Sequence, residues 1–578
     1  MTHGAFTFVL HSHLPYARLA GRWPHGEEWI HEAASETYIP LLDTLFDLKA
    51  DNVPFRLTIG ITPVLAEQLN DETVLKNFDS YLKMRITAAE ADIARFEPND
   101  TENPDSGSLS EMDMERAHLY YLAHWYREYY VRIQKLFHEK FNRDIIGSFR
   151  QLQDEGYIEI ITSAATHGYL PLLSTDSAVR AQVEIGIRTY ERLFGCKPKG
   201  FWLPECAYRP AYIDDKEITR KGIEAILASY GIKVFFAETH TVTGGQPVGV
   251  AAGDVIGPYG NINRRYVIPD NTIPPARDTT TFEAYYVSDS TAGEDADSHS
   301  GVAVLGRNAR TGEQVWSADW GYPGDFDYRE FHRKAGTSGL QYWRVTGDPV
   351  DLNDKELYHP EWASFKVEQH AENFSHIVGD LLREYYEQND GRPGIVMASY
   401  DTELFGHWWF EGVEWLGAVL RHLSEYKEID VLAASDIIEK YPPEKALQLP
   451  ESSWGAGGRH FTWDNGETHW MWEPIHNAEA RMEQLANTHT DTDDASEKVL
   501  AQAARELLLM QSSDWSFLVT TNQAKAYAIQ RFNQHLERFE ALVSSVEAGT
   551  PNVALADELY ERDKLFADID FRVYQTRE

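Results

Sequence analysis

The stretch Ile395-Val396-Met397-Ala398-Ser399-Tyr400-Asp401-Thr402-Glu403-Leu404-Phe405-Gly406-His407-Trp408-Trp409 passes from a short apolar run straight into acids and aromatic rings. The same arrangement recurs along the chain. Phe6 to Leu10 ends at His11 and His13, and Arg56 to Ile61 ends at Thr62-Pro63. Ile158 to Thr162 leads to His167, and Phe201 to Leu203 leads to Glu205. Val234 to Ala237 ends at Glu238 and His240, and Val302 to Leu305 ends at Arg307. Amphipathic helical segments such as Arg180 to Phe194 and Phe365 to Tyr386 lie between most of these runs. Strands alternating with helices predict a parallel sheet, and functional groups gathered at strand C-termini predict a barrel. The fold class read from this is α/β, a (β/α)7 incomplete TIM-type barrel over residues 1–440. Val431 to Ala434 is a candidate eighth strand.

The strand rhythm breaks from about Asn77 to Gly147, which is helix-rich apart from the polar loop Pro98 to Ser110 and reads as an insertion. A second irregular stretch, about His240 to Ser300, is rich in Gly, Pro, Thr and Asp. Loops of this length are expected to be functional lids or disordered segments. Gly244-Gly245 and Gly249 would supply hinge freedom, and Val248 or Tyr259 the cover; disorder is the alternative around Gly293 to Ser300. Residues 441–578 lose the strand pattern. Ala495 to Met510 and Gln523 to Val546 have helical periodicity, predicting a C-terminal helical domain.

A formal net charge of −38 disfavours nucleic acid and anionic membrane, whereas a neutral ligand is indifferent to that field. Two cysteines, Cys196 and Cys206, make no disulfide framework in 578 residues. No basic leader precedes Ala5 to Leu10 and no stretch approaches a membrane span, so a cytoplasmic protein is expected.

Glu205 and Asp401 carry the chemistry in this reading. Each ends an apolar run and sits among rings, Trp202 and Tyr208 for Glu205 and Trp408-Trp409 for Asp401. Partial desolvation tunes such carboxyls for acid, base or nucleophilic work, and a pair of them is the usual equipment for glycoside cleavage. Asp401 and Glu403 would share one face if the strand continued. His11 and His13 alternate likewise, and with His167 and Asp401 they could suit a metal. Polar groups lining a sugar site need none, and no His-Glu-x-x-His or cysteine cluster is present. No metal and no cofactor are expected. Trp454, Trp463, Trp470 and Trp472, in a stretch that opens Gly-rich, suggest a glucan platform, with core packing as the alternative.

The chain resembles family 57 glycoside hydrolases, and within them the 1,4-α-glucan branching group. The resemblance rests on His11-Ser12-His13-Leu14-Pro15-Tyr16, Ala165-Thr166-His167-Gly168-Tyr169-Leu170-Pro171 and Trp202-Leu203-Pro204-Glu205-Cys206-Ala207-Tyr208. Tyr322-Pro323-Gly324-Asp325 and Tyr400 through Trp409 extend it over nearly the whole chain. It implies a (β/α)7 barrel and a metal-independent retaining mechanism, with Glu205 as nucleophile and Asp401 as general acid/base. His11, Trp29, His167, Trp316, Trp463 and Trp472 are the implied sugar-site residues, and His13, His407 and Trp408 join them as substrate-binding candidates from the residue pattern. The implied partners are α-1,4-glucan donors and acceptors. The implied reaction cleaves α-1,4 and forms α-1,6 links; hydrolysis or 4-α-glucan transfer by the same carboxyls is the near alternative. A non-catalytic glucan-binding protein is the distant one. One departure concerns a lid Tyr-Gly dipeptide of the branching group: the corresponding region here reads Gly244-Gly245-Gln246-Pro247-Val248-Gly249, and Tyr259-Gly260 lies further on.

Overall fold

The structure is a computed structural model that describes residues 2–577 except 23, 99–110, 215–216, 248–254, 258–259, 263–273, 291–297, 318–320 and 348–349. Seven parallel strands form its centre: β1 (Gly4–Ser12), β2 (Leu57–Ile61), β3 (Ile158–Ser163), β4 (Gly200–Trp202), β5 (Val234–Ala237), β6 (His299–Gly306) and β7 (Gly394–Asp401). They lie in the order β7-β1-β2-β3-β4-β5-β6. β1 is buried over its whole length, which is why it reads as a near-continuous apolar run. Alternate side chains divide between two environments. Ala5, Val9, Val234, Phe236, Ile395 and Met397 pack with Trp202 in one cluster inside the barrel. Phe6, Phe8 and Leu10 face outward onto the surrounding helices.

The ring does not close as a ladder. The free edge of β6 is taken by an antiparallel strand, Tyr285–Ser288. The seam to β7 is left to single bonds, from Asn308 N–H to Met397 O and from Ile395 N–H to Phe282 O, both 2.9 Å. The candidate eighth strand exists as Ile429–Val431, but it pairs with the first residues of β1, below the point where β2 joins, and adds nothing to the ring. Ala434 already begins the next helix.

Helices Glu72–Phe96 and Glu111–Lys135 occupy the segment where the strand rhythm breaks; Asp71 caps the first by accepting from the Thr73 and Val74 N–H groups. Beyond residue 470 come five helices, Trp472–Thr488, Asp494–Met510, Ser513–Thr521, Lys525–Glu547 and Val553–Arg562. Their apolar faces share one hydrophobic cluster with Phe201 of β4, Phe235 and Ala237 of β5 and Val302 and Val304 of β6. Among the described residues no helix is long and apolar enough to cross a membrane.

The irregular stretch after β5 has a closed base. Gly244 and Gly245 adopt left-handed φ values of 66° and 80°, open to glycine at little cost. Gly245 N–H bonds Pro274 O and Arg277 N–H bonds Thr243 O, tying the two ends together. Val248, Gly249 and Tyr259 lie outside the described residues, as does Gly293, whereas His299 and Ser300 already belong to β6.

Candidate active site

Residues from four strand ends and from the C-terminal helices meet above the barrel. β4 ends at Trp202, and the chain turns at once through Pro204–Cys206. Glu205 (φ 62°) and Cys206 (φ 50°) are both left-handed there. A non-glycine residue pays about 1–2 kcal/mol for that region, so the surrounding contacts must hold the turn. They do: Glu205 O accepts from Trp454 N–H at 3.1 Å, and the Trp454 indole N–H donates to Glu205 Oε2 at 2.7 Å. The Ser513 hydroxyl donates to Glu205 Oε1 at 3.3 Å.

Asp401 closes β7 and is in register with His11 of β1. The strand stops there. Thr402–Leu404 is a single helical turn, so Asp401 and Glu403 do not share a strand face. Glu403 instead turns inward, accepting from the Tyr38 hydroxyl and from the His13 backbone N–H at 3.1 Å.

The histidines form a layer beneath the carboxyls. The ring of His13 stacks on that of His167 at 3.8 Å, and His11 stacks on Trp202 at 4.6 Å. Hydrogen bonds assign the tautomers. His167 Nδ1–H donates to Ser513 Oγ at 2.9 Å, and the Ser513 hydroxyl in turn donates a hydrogen bond to Glu205 Oε1. His167 Nε2 then accepts from His11 Nε2–H at 3.1 Å. Burial holds both His11 and His167 well below the usual imidazole range, so both are neutral. His13 differs. Burial pulls it down, but Asp514, 3.0 Å from Nε2, together with Glu205 and Glu403, lifts it above its ordinary value.

Burial pushes Glu205 up to about 7; the Trp454 bond opposes the shift and the Asp401 charge adds to it. Burial pushes Asp401 up to about 6 against the pull of Arg307 and His13, and Glu403 up to about 8. Arg307 is fixed by an ion pair with Glu238 at 2.8 Å, the residues that directly follow β6 and β5. Cation ligation is geometrically conceivable at His13, His167 and Asp514, whose ligand atoms lie within 4.8 Å of one another. The ring nitrogens there already serve Thr62, Asp514, Ser513 and His11.

The remaining sequence candidates are spread around this centre. His407 bonds Glu36 at 3.0 Å; burial would raise Glu36, but Arg329 and His407 hold it down at about 2. Trp408 and the exposed Trp316 meet edge to face at 6.4 Å. Trp463 is buried and stacks on Tyr169 at 4.4 Å, and Trp472 lies behind it, its indole N–H on Trp463 O at 3.1 Å. Trp29 is buried against Tyr527 and His25. Trp470 is exposed and packs on Phe532. Ser513, Asp514 and Tyr38 escaped the sequence reading, because they come from helices with no local signal of catalysis.

Residues 7–450 match Glycosyl hydrolase family 57. The chain belongs to this family. As a family 57 member it also matches, over residues 474–574, the family described as 1,4-alpha-glucan branching enzyme, C-terminal. It is 44% identical over 575 residues to a 1,4-alpha-glucan branching enzyme of Thermococcus kodakarensis, covering 98% of this chain and 78% of that protein. The crystal structure of that enzyme superposes with a TM-score of 0.85 at 42% identity, covering 100% of this chain and 97% of the other. The branching enzyme of Pyrococcus horikoshii gives 0.82 at 40%, covering 100% and 97%. The alpha-amylase AmyC of Thermotoga maritima gives 0.79 at 29%, covering 100% of each chain.

Trp454 offers a direct test of this family 57 site. Trp454→Phe keeps the ring and removes one hydrogen bond to a carboxylate, an interaction worth about 1.5–3 kcal/mol. The expected result is a fall in kcat/KM of about 10- to 100-fold, with the pKa of Glu205 moved up in the pH profile. A wild-type profile in the variant would show that the bond does not orient or charge Glu205.

Proposed function

We propose that this chain is a 1,4-α-glucan branching enzyme that works by retaining double displacement. The observation that carries the reading is the origin of the site. The branching-type C-terminal segment supplies Ser513 and Asp514 to the same cluster that holds the barrel carboxyl Glu205. Glu205 attacks the anomeric carbon of an α-1,4-glucan while Asp401 gives its proton to the departing 4-oxygen. The donor chain is then held as an ester on Glu205. Asp401, now ionised, takes the proton from a 6-hydroxyl of an acceptor chain, whose oxygen displaces Glu205 and closes an α-1,6 link. Two successive inversions retain the α configuration. A retaining pair requires carboxyls about 5–5.5 Å apart rather than about 6.5–9.5 Å.

The reactive form has one proton on the pair, with Glu205 ionised and Asp401 protonated. In the free site Glu205 lies near 7 and Asp401 near 6, so the proton rests more on Glu205. Positive charge developing at the anomeric carbon then favours ionised Glu205. The pH profile of kcat/KM is therefore expected to be a bell. It falls below about 6, where both groups are protonated and no nucleophile remains, and above about 7, where no acid remains. A rate that climbs steadily through pH 9 would contradict this pairing.

Donor and acceptor glucans and a cytoplasmic setting belong to the same proposal. The second reading is hydrolysis, favoured by the likeness to the Thermotoga alpha-amylase. Linkage analysis after incubation with amylose decides between them. Branching yields new α-1,6 links with few new reducing ends, hydrolysis yields reducing ends alone, and redistribution of α-1,4 chains signals disproportionation.

A further inference from the structure

A cleft of about 440 Å³ opens between helices Glu111–Lys135 and Pro360–Gln388 and the loop leading into helix Gly412–Ser424. Tyr121, Trp125, Tyr358 and Phe410 line it, interspersed with the carboxyls of Glu361, Glu411 and Glu414. No lysine or arginine lines it. It is separate from the catalytic centre. The guanidinium of Arg329 lies 3.9 Å from the centre of the Phe410 ring and 3.4 Å from Glu36, and Glu36 in turn holds His407. Those contacts link the cleft wall at Phe410 to His407, and none of the cleft's lining residues belongs to the catalytic cluster.

We propose that this cleft is a second, non-catalytic binding site for a neutral α-glucan chain. Aromatic faces offer flat apolar surface to the C–H faces of glucosyl rings, and carboxylates accept from their hydroxyls. Glu411 sharpens the argument. It is 4% exposed, and its Oε1 already accepts from the Tyr358 hydroxyl at 2.7 Å and from Arg329 N–H at 3.0 Å. Its Oε2 is buried without a protein partner among the described residues, and a buried acceptor left unmet is unfavourable. A sugar hydroxyl meets it once the carboxyl rotates toward the cleft that Glu411 lines. Beside the cleft, Trp362 and Phe365 stand three apart on the first turns of the same helix, 49% and 66% exposed, and extend the aromatic surface. The negative lining excludes phosphorylated ligands and leaves neutral polyols favoured. The inference rests on the glucan reading above. A site that holds a polymer near the catalytic centre raises the effective concentration of donor and acceptor chains.

Tyr121 and Glu414 are exposed and outside the catalytic cluster, so Tyr121→Ala and Glu414→Gln are suitable probes. Retention in native gels containing amylose, measured in a Glu205→Gln background, reports binding without turnover. Each variant is expected to weaken retention by about three- to tenfold, whereas Tyr121→Phe, which keeps the ring face, retains normally. In the active enzyme KM for amylose is expected to rise by a similar factor, with kcat/KM on a short maltooligosaccharide unchanged. Unchanged amylose retention, with branching intact, overturns this proposal while leaving the glucan reading standing. Equal losses on long and short donors overturn it too, because the cleft would then be part of the catalytic groove. Binding of a cationic peptide such as polylysine at the cleft, in place of amylose, would make it a protein-docking surface instead. Failure of the wild type to act on amylose at all would reject the glucan reading itself.

Discussion

Glu205→Gln and Asp401→Asn are each expected to lower turnover on amylose by about 10⁴-fold, with far-UV circular dichroism and melting temperature little changed. Loss of activity alone would not separate the two roles, because either carboxyl is essential. Glycine variants with added azide do separate them. In Glu205→Gly, azide enters the space of the lost nucleophile while Asp401 still protonates the leaving oxygen. The product is a β-glycosyl azide, inverted relative to the α donor. In Asp401→Gly the glycosyl-enzyme still forms from an α-glycosyl fluoride, whose leaving group needs no acid. Azide then attacks from the opposite face and gives the α-azide. The exchanged outcome would exchange the assignments, and the order of the two carboxyl pKa values in the free site makes that a real test. Azide products from neither variant would remove Glu205 and Asp401 from the mechanism.

The second large effect concerns the C-terminal helices. Truncation after residue 450 is expected to abolish folding of the barrel rather than merely its activity. Helix Asp176–Phe194 is buried on both sides, against the strands and against helix Trp472–Thr488 and the turn Phe571–Tyr574 of the C-terminal part. Leu500, Leu507, Leu508, Phe532 and Phe571 belong to the same hydrophobic cluster as Ala178, Val179 and Leu170. Polar groups cross the same boundary. Gln182 donates to Gln511 at 2.9 Å, Thr166 donates to Leu508 O, and Arg180 donates to Val573 O at 3.1 Å. Stripping the cover from some five barrel side chains of that cluster, such as Tyr169, Leu170, Leu173, Val179 and Val183, costs about 1.5–3 kcal/mol for each. That sum reaches the whole stability of a typical domain, about 5–15 kcal/mol. The truncated chain should therefore be insoluble or lack near-UV circular dichroism and a cooperative melt. A soluble fragment 1–450 that melts cooperatively near the temperature of the full chain would show that the barrel is independent of the helices.

The amino-acid sequence by itself determined the parallel strands and what stands at their ends. Seven buried runs, each a few residues long, announce themselves locally, because strands covered on both faces must be apolar throughout. Their terminal residues follow directly in the chain, so Glu205, Asp401, His11, His13 and His167 could be read without a tertiary map. Tertiary structure alone decided the rest. The ring stays open because Tyr285–Ser288 occupies the edge of β6, a pairing that no local pattern specifies. Glu403 leaves the strand face because Tyr38, 365 positions away, draws its carboxylate inward. Glu205 is oriented by Trp454 and Ser513, 249 and 308 positions distant, and Asp514, 501 positions away, lifts the pKa of His13. Backbone periodicity and side-chain type are properties of neighbours in the chain, but a pKa and a hydrogen-bond direction are set by whatever the fold packs against the group.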